Sequence, residues 1–567
     1  MGIEIGKIVE VRGLRVRAEL YELLPPYLVE NGVINIAPRI NTYVKTKVGL
    51  DTIICQITGE YYDEKIQGQF TGYFLDLTVK GYFENKKFVQ GLRMLPMVAA
   101  SIELMDDDEY GLINGTNAEK SIIIGRDLFD SNHDFFIDYN KIIPSHVGVF
   151  GNTGSGKSNT LAKLLSEYCN VINGHICSKI LVFDINDEYG ENAFCDADKK
   201  KIYKLTTRKN DGDKIPFNYD ELKEDQWCLL LNAKEATQRP VIKTAFNDKR
   251  IESDYEDLLK KIILNKQEPL FMSIRHNLSD YIKGLDNLIW HSTNKVFFIN
   301  NVNGSIFLDS EERVDNYIKI KVSMPDKKLE NFLFKLYFAA AEHIGYGIQY
   351  EFIAPLLRRA DKFVKDFEKV FDDSCNANIF DNKNIAIVQL SDVNQDMLEV
   401  IPALLTDVLF VKQIEAKTDG FVKNIINIVV DEAHNLLYEG EDEFNNNHSR
   451  VTLKTFERAI KEGRKFGLYL WISSQRPSDI SQTIISQMLN YFIHKLVNPN
   501  DIAKIRKAVA YMDENSIDTL TALGKGECIV SGTCVNMPCF VKINQLDEDR
   551  RPKSEDVVIF GENGIIH

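Results

Sequence analysis

The stretch GNTGSGKS, residues 151–158, decides the fold of this 567-residue chain. It fits the pattern Gly-x-x-x-x-Gly-Lys-Ser/Thr. It lies between a short apolar run, His146 to Phe150, and a segment with helical apolar spacing, Ser158 to Asn170. A glycine-rich loop between a strand and a helix points backbone N–H groups and the positive end of the helix dipole at phosphate oxygens. The sequence therefore predicts a phosphate-binding loop in an α/β fold.

Individual residues of this loop have different predicted roles. Lys157 is expected to reach the β- and γ-phosphates of a nucleotide, and the Ser158 hydroxyl to bind magnesium. ATP and Mg²⁺ are therefore the predicted cofactors. The predicted nucleotide contacts are Gly151, Asn152, Thr153, Gly154, Ser155, Gly156, Lys157, Ser158 and Asn159.

A second apolar run, Ile425 to Val430, ends in Asp431 and Glu432. Nucleotides bind at the C-terminal edge of the sheet in α/β folds, so a buried strand would deliver both carboxylates to the phosphates. Asp431 is predicted to bind magnesium, directly or through water, and Glu432 to orient and polarise the attacking water. Another strand, Lys179 to Phe183, leads into Asp184, which either faces the nucleotide or caps the turn that follows.

The strand Leu468 to Ile472 is predicted to lie beside the Asp431 strand, because consecutive strands are usually neighbours. That position would bring Gln475 to the nucleotide edge, where an amide can sense the γ-phosphate or the attacking water. Arg464 and Arg476 flank this strand. Each is a candidate for the arginine that completes the phosphate site of a neighbouring subunit, or else pairs with surface carboxylates.

Composition restricts the class of protein. The formal net charge is −15, with 44% apolar and 27% charged residues, which argues against a simple basic nucleic-acid coat. The sequence has no run of 18 apolar residues and opens without a secretory leader, so we predict a cytoplasmic protein without a membrane span. Three clustered cysteines, Cys528, Cys534 and Cys539, do not have the spacing of a zinc site and are predicted to be buried thiols.

The pattern of the sequence changes along the chain. Short alternating runs indicate a small β-barrel, strands alternating with helical segments indicate a mostly parallel sheet, and a helical stretch interrupts that sheet. The predicted units are a barrel at 1–110, the first part of the sheet domain at 111–244, a helical insertion at 245–375, the second part of the sheet domain at 376–545 and a tail at 546–567.

Together these motifs resemble the HerA branch of the HerA/FtsK ATPases. The resemblance rests on GNTGSGKS followed by Asn159-Thr160, on DINDEY (184–189), on DEAHN (431–435), and on EGRKFG (462–467) followed by SSQRPS (473–478). It implies a small N-terminal HAS barrel, a RecA-like P-loop motor core with a mostly helical insertion, and a homohexameric ring that pumps double-stranded DNA. It also implies that Lys157, Ser158, Asp431, Glu432 and Gln475 carry the nucleotide chemistry, with Arg464 acting in trans.

Two positions depart from the family pattern. The family often has Asp-x-His-Gly-Glu-Tyr where this chain has Asp184-Ile185-Asn186-Asp187-Glu188-Tyr189. Many members carry an arginine before the histidine that opens the phosphate-loop strand, and this chain has Ser145 there. A trans-acting arginine from that position is therefore missing.

Basic residues that could line a DNA channel are concentrated in one segment. They either contact phosphates, which requires only point charges, or belong to a solvated charged loop. Arg358 and Arg359 are a second candidate pair. The principal candidates are Lys199, Lys200, Lys201, Arg208 and Lys209.

The leading hypothesis is an ATP-driven translocase or helicase for double-stranded DNA that works with an effector docked on the barrel side. The resemblance implies a NurA-type nuclease in DNA end processing, or a sirtuin-type NADase or other nuclease in antiphage defence. The alternative is a nucleotide-binding ring scaffold that gates an effector without productive DNA pumping. A membrane-bound pump of the same superfamily is disfavoured because no membrane span is predicted.

Overall fold

The structure is a computed structural model that describes most of the chain. The described residues are 3–30, 33–64, 70–85, 87–113, 120–129, 133–172, 178–234, 236–301, 304–374, 378–417, 421–439, 447–509 and 514–553. The predicted tail at 546–567 therefore lies mostly outside the described residues.

Strands and helices are numbered along the chain. The strands are β1 (Glu4–Arg12), β2 (Arg15–Leu20), β3 (Tyr27–Glu30), β4 (Val33–Ile36), β5 (Tyr43–Val48), β6 (Asp51–Glu64), β7 (Phe70–Glu84), β8 (Lys87–Gln90), β9 (Ser101–Leu104), β10 (Ser121–Asp127), β11 (Asp134–Asp138), β12 (Val147–Phe150), β13 (Ser178–Asp184), β14 (Lys200–Thr206), β15 (Ile215–Phe217), β16 (Ile282–Lys283), β17 (Ile289–His291), β18 (Val296–Asn301), β19 (Gly304–Phe307), β20 (Lys321–Val322), β21 (Phe371–Asp373), β22 (Ile385–Asp392), β23 (Ile425–Val430), β24 (Leu468–Ser474), β25 (Asn490–His494), β26 (Glu527–Gly532) and β27 (Cys539–Ile543). The helices are α1 (Asp107–Ile113), α2 (Tyr139–Ile142), α3 (Lys157–Ile172), α4 (Glu224–Leu230), α5 (Arg239–Phe246), α6 (Glu252–Leu264), α7 (Glu268–Asn277), α8 (Glu311–Tyr317), α9 (Lys328–Gly345), α10 (Tyr350–Val370), α11 (Gln395–Ala416), α12 (Asn447–Glu462), α13 (Gln482–Gln487), α14 (Pro499–Ala508) and α15 (Glu514–Thr519).

The N-terminal strands form a small closed barrel. They pair in the order β2-β1-β9-β5-β6-β7, and β7 pairs back with β2, which closes the ring. Alternation along β2 shows how the barrel fills its interior, because Val16, Ala18 and Leu20 are buried and the residues between them are more exposed. The predicted barrel is confirmed.

A long mixed sheet forms the centre of the molecule. Its parallel part has the order β25-β12-β24-β23-β13-β22-β14, and it continues antiparallel through β26, β27, β10 and β11. The central strands are buried apolar runs, as expected of parallel strands covered on both faces. This is the predicted RecA-like P-loop core, and β24 lies directly beside β23 as predicted.

A mainly helical region separates β14 from its neighbour β22. It contains α4 to α10 and three small sheets, the pairs β15–β21 and β16–β20 and the meander β17-β18-β19. Its helices share one apolar core, in which the Trp227 ring stacks on Phe332 with centroids 3.7 Å apart. The predicted insertion starts at residue 245, whereas the first of these helices, α4, begins at Glu224.

One predicted feature has a different place in the fold, and the predicted burial of the three clustered cysteines is confirmed. The lysine-rich segment at 199–201 is not a loop, because Lys200 and Lys201 begin the edge strand β14. Cys528, Cys534 and Cys539 are buried, and burial raises the pKa of each thiol. Among the described helices, none is both long enough and apolar enough to cross a membrane.

Candidate nucleotide site

The phosphate loop connects β12 to α3 in a tight curl. The Ser155 hydroxyl donates to the Asn152 carbonyl over 2.6 Å, and Lys157 Nζ donates to the same carbonyl over 3.2 Å. Gly156 has a φ of +110°, and an added Cβ would lie 2.9 Å from Gly526 Cα. Only glycine fits there, because the turn before β26 lies directly against the loop.

His494, at the end of β25, forms the floor of this loop. An added Cβ on Gly151 would lie 2.5 Å from His494 Cβ, and His494 Nε2 lies 2.9 Å from the Thr160 hydroxyl. Burial lowers the pKa of His494 to about 3, so the ring is neutral. The sequence offered no signal for this role, since a histidine at a strand end resembles any core residue.

The side chain of Asn159 bonds to the chain after β27. Its Nδ2 donates to the Asn544 carbonyl over 3.3 Å, and its Oδ1 accepts from the Leu546 N–H over 3.5 Å. The side chain thus ties α3 to the chain after β27. Its contact with a nucleotide stays a prediction.

β23 delivers Asp431 and Glu432 to the C-terminal edge of the sheet, where the phosphate loop also lies. Both are buried, with 2% and 6% of their surface exposed. Glu432 has the left-handed backbone angles φ 48° and ψ 49°. A non-glycine residue there costs about 1 kcal/mol or more, and such strain is concentrated at functional sites.

A third carboxylate, Glu188, belongs to this site, although the motifs did not single it out. Asp184 at the end of β13 accepts the N–H groups of Glu188 and Tyr189 over 3.0 and 2.9 Å. Asp184 therefore caps the turn, which was one of its two predicted roles, and the turn presents Glu188 to the site. The position of a side chain in such a turn depends on these bonds, which the sequence does not reveal.

The charges of the site are strongly perturbed by burial. Burial raises the pKa of Asp184 to about 6 and of Glu188 to about 7, with the Asp431 charge adding to both. Burial also raises the pKa of Asp431 and lowers that of Lys157, although the lysine is held toward its charged form by Glu432, Asp431 and Glu188. Several carboxylates around one lysine make a site suited to additional positive charge.

The donor atoms present fit a magnesium ion bound together with nucleotide. Among the described residues, Asp431 Oδ2 and Glu188 Oε2 are buried without a hydrogen-bond partner, and the Ser158 hydroxyl lies near Glu188. In the described part of the chain, His, Cys, Asp and Glu form no cluster that could hold a metal alone. Magnesium usually binds to one or two protein oxygens plus phosphates and water, so this donor set is appropriate.

Gln475, at the end of β24, connects the two halves of the site. Its Nε2 donates to Glu432 Oε1 over 2.5 Å, and its Oε1 accepts from the Thr153 hydroxyl. His434 Nδ1 lies 3.3 Å from the other oxygen of Glu432, and burial lowers the pKa of this histidine. The structure therefore brings Gln475 to the predicted position.

The two candidate arginines lie at opposite edges of the sheet. Arg476 follows Gln475 directly; its side chain is 70% exposed and lies 4.0 Å from Asp479. Arg464 is exposed and precedes β24, close enough to His146 that its charge, after burial, contributes to lowering the pKa of that histidine. Arg464 therefore does not lie in the nucleotide site of its own chain.

Ser145, which occupies the position where many family members carry arginine, belongs to a buried network. Its hydroxyl donates to the Ile142 carbonyl over 2.7 Å and accepts from Asn490 Nδ2 over 2.8 Å. Its carbonyl accepts from Trp471 Nε1 over 3.0 Å. This position has a structural role here.

The predicted DNA contacts have different environments. Lys200 is buried and donates to the carbonyls of Gly190 and Ala193 over 3.0 and 2.7 Å, so we withdraw it as a DNA contact. Arg359 likewise bonds to protein, at the Leu231 carbonyl over 2.9 Å. The remaining candidates reach the surface, where Lys199, Lys201 and Arg208 lie 3.0, 3.5 and 3.3 Å from aspartates and Lys209 is exposed.

Family models match most of the core. The model described as Helicase HerA, central domain, matches residues 122–408, and the model described as Helicase HerA-like C-terminal matches residues 415–547.

Curated relatives match over most of their length. The chain is 26% identical over 457 residues to the DNA double-strand break repair helicase HerA of Sulfurisphaera tokodaii, which covers 80% of this chain and 74% of the relative. It is 26% identical over 479 residues to the protein of the same name from Sulfolobus acidocaldarius, and the match covers 82% of this chain and 79% of that relative.

Among solved structures, VirB4 of Thermoanaerobacter pseudethanolicus matches with a TM-score of 0.43 and 14% identity, over 77% of this chain and 100% of that one. The bacterial conjugative coupling protein TrwBdeltaN70 matches with a TM-score of 0.42 and 13% identity, over 78% of this chain and 92% of that one.

Proposed function

This chain belongs to the HerA family of helicases, and on that premise we propose that it is an ATP-hydrolysing motor that translocates double-stranded DNA. The observation that carries the proposal is the meeting of Lys157, Asp431, Glu432 and Gln475 at one sheet edge, around the phosphate loop. The relatives named as DNA repair helicases support DNA as the substrate.

The chemistry follows from the positions of these side chains. Lys157 and the loop N–H groups bind and stabilise the phosphate oxygens, where negative charge develops during transfer. Glu432 orients the attacking water and accepts its proton, while Gln475 holds the carboxylate in place. Ser158 and Asp431 would hold magnesium, with Glu188 nearby, and that ion would neutralise charge on the phosphates.

We also infer that the working assembly is a homohexameric ring. Arg464 lies outside its own nucleotide site, which supports a contribution from each subunit to its neighbour. An effector, a nuclease or a sirtuin-type enzyme, would dock on the barrel side and act in DNA end processing or antiphage defence.

The test is ATP hydrolysis with and without duplex DNA at low salt. We expect duplex DNA to stimulate turnover, and we expect Lys157→Ala and Glu432→Gln each to abolish it. Lys163→Ala is a matched control on the same helix, because in the described part of the chain this lysine pairs with Glu167 and not with the phosphate loop. If duplex DNA does not change the rate of ATP hydrolysis, while assembly with an effector still requires Lys157, the chain acts as a scaffold and not as a motor.

A further inference from the structure

A line of basic side chains runs along one face of α10. Arg358, Lys362, Lys365 and Lys369 recur at intervals of four, three and four residues, so they share one face of the helix. At 1.5 Å rise per residue this line is about 16 Å long. The opposite face is in the core, with Ile353, Leu357, Ala360, Phe363, Val364 and Phe367 buried.

The first three of these side chains are available to a ligand. Arg358 and Lys365 are exposed, and neither lies within 4.0 Å of a carboxylate oxygen in the part of the chain that the structure describes. Lys362 lies 2.8 Å from Asp396, but the two side chains are 61% and 41% exposed. Exposed pairs contribute at most about 1 kcal/mol, so a phosphate can replace the carboxylate.

Lys369 joins this line to a second basic segment. Its Nζ donates to the Thr207 carbonyl over 2.7 Å, which places Arg208 and Lys209 at the C-terminal end of α10. Arg208 is 74% exposed and lies 3.3 Å from Asp392, and Lys209 is exposed. The α10 stripe, as we call it, consists of Arg358, Lys362, Lys365, Lys369, Arg208 and Lys209.

The stripe is connected to the nucleotide site by two side-chain contacts. Asp187, in the turn that presents Glu188, accepts a hydrogen bond from the Ser391 hydroxyl. The next residue, Asp392, is the partner of Arg208. The contacts lie at the C-terminal ends of β13, β22 and β14, the edge at which the phosphate loop lies.

We propose that the α10 stripe is a track for the phosphate backbone of duplex DNA. The stripe groups basic side chains on one surface of a protein whose net charge is −15, and phosphate binding depends on such local charge rather than on the net charge. A length of about 16 Å along the duplex axis corresponds to about five base pairs. Phosphate contacts carry no base information, which suits movement along any sequence.

This inference rests on the proposed function, because it assigns the surface where that motor holds DNA. It differs from the expectation from sequence in one respect. The charge cluster at 199–201 contributes little, while α10, whose basic residues recur every three or four positions rather than as a run, provides most of the surface.

The experiment measures the affinity of the full chain for a fluorescent 30-base-pair duplex by anisotropy, over a series of salt concentrations. The test variant is Arg358→Gln combined with Lys365→Gln, since neither side chain has an ion pair with a described residue whose loss could disturb the fold. The matched control is Lys283→Gln combined with Lys321→Gln, two exposed lysines paired across β16 and β20. Both double variants remove two positive charges from the same region.

We expect the stripe variant to bind about ten-fold more weakly at low salt, with the slope of log affinity against log salt reduced by about two. The control should retain the wild-type slope. Equal slopes for the wild type and both variants would overturn the α10 stripe while leaving the motor intact. A wild-type chain that does not bind duplex would instead remove the proposed function, so the two failures are distinguishable.

Discussion

The Gln475 amide donates to the Glu432 carboxylate over 2.5 Å, while its carbonyl oxygen accepts from Thr153 in the phosphate loop. One side chain therefore joins the ends of β24 and β23 to the loop that follows β12. This arrangement requires a donor and an acceptor on the same planar group, which only an amide supplies here. Gln475 is thus suited to hold the catalytic carboxylate relative to the phosphates.

Replacing Gln475 by glutamate tests this connection with almost no change of shape. The new carboxylate would face Glu432 without a hydrogen to donate, and like charges at this distance disfavour ionisation of both groups. We expect kcat for ATP hydrolysis to fall about 100-fold, as for loss of other preorganised polar groups, with a smaller change in nucleotide affinity. Steady-state kinetics and binding of a fluorescent ATP analogue measure the two effects separately.

Gln487→Glu is the matched control for charge. Gln487 is exposed at the end of α13, so the same substitution there should leave kcat unchanged. If the two variants hydrolyse ATP equally well, Gln475 does not position Glu432 for the reaction.

Strand ends account for what the sequence could predict of this site. Lys157, Asp431 and Gln475 each follow a clear apolar run, and in a parallel sheet such ends converge at one edge. Glu188 and His494 were not predictable in this way, because their positions depend on the Asp184 turn and on packing against the glycines of the loop. Lys200 was predicted to contact DNA, but its side chain bonds to carbonyls of a separate loop, and the sequence does not reveal that contact.

His146 provides a test of stability against pH. It is 3% exposed, and its Nδ1 accepts the Leu470 N–H over 3.0 Å, which requires an unprotonated nitrogen. Burial, then the Arg464 charge, lowers its pKa to about 4. Between pH 6.5 and about 4 the unfolded chain binds a proton at this residue that the folded chain does not, so acidification destabilises the fold.

The expected magnitude follows from the shift. Because of this residue, the free energy of unfolding of the wild type should be about 2 kcal/mol lower at pH 5 than at pH 7.5. His146→Asn keeps an acceptor for the Leu470 N–H but cannot titrate. Its free energy of unfolding should therefore fall by about 2 kcal/mol less than that of the wild type between pH 7.5 and pH 5. Denaturant unfolding at the two pH values measures it, with exposed His276→Asn as control. The same acid-induced loss in His146→Asn and the wild type would contradict the assignment.

Arg464 lies too far from its own site to act there. It precedes β24, beside His146 at the start of β12, whereas Glu432 and Gln475 lie at the opposite edge of the same sheet. A seven-residue strand is about 20 Å long, which an arginine side chain does not span. A role in hydrolysis therefore requires Arg464 to reach the phosphates bound by an adjacent copy, as an arginine finger does.

Mixed assemblies separate this role from a local one. Arg464→Ala and Glu432→Gln should each be inactive alone, with losses of about 10³-fold or more. When the two are mixed in equal amounts, about one interface in four pairs an intact Glu432 with an intact Arg464 from the neighbour, so about a quarter of wild-type turnover should return.

Arg476→Ala mixed with Glu432→Gln should recover nothing if Arg476, which follows Gln475, acts within its own subunit. The exposed neighbour Lys465→Ala should remain active alone. Absence of recovery in the Arg464 mixture, with mixed assembly confirmed by tagged pull-down, would exclude Arg464 from the shared site.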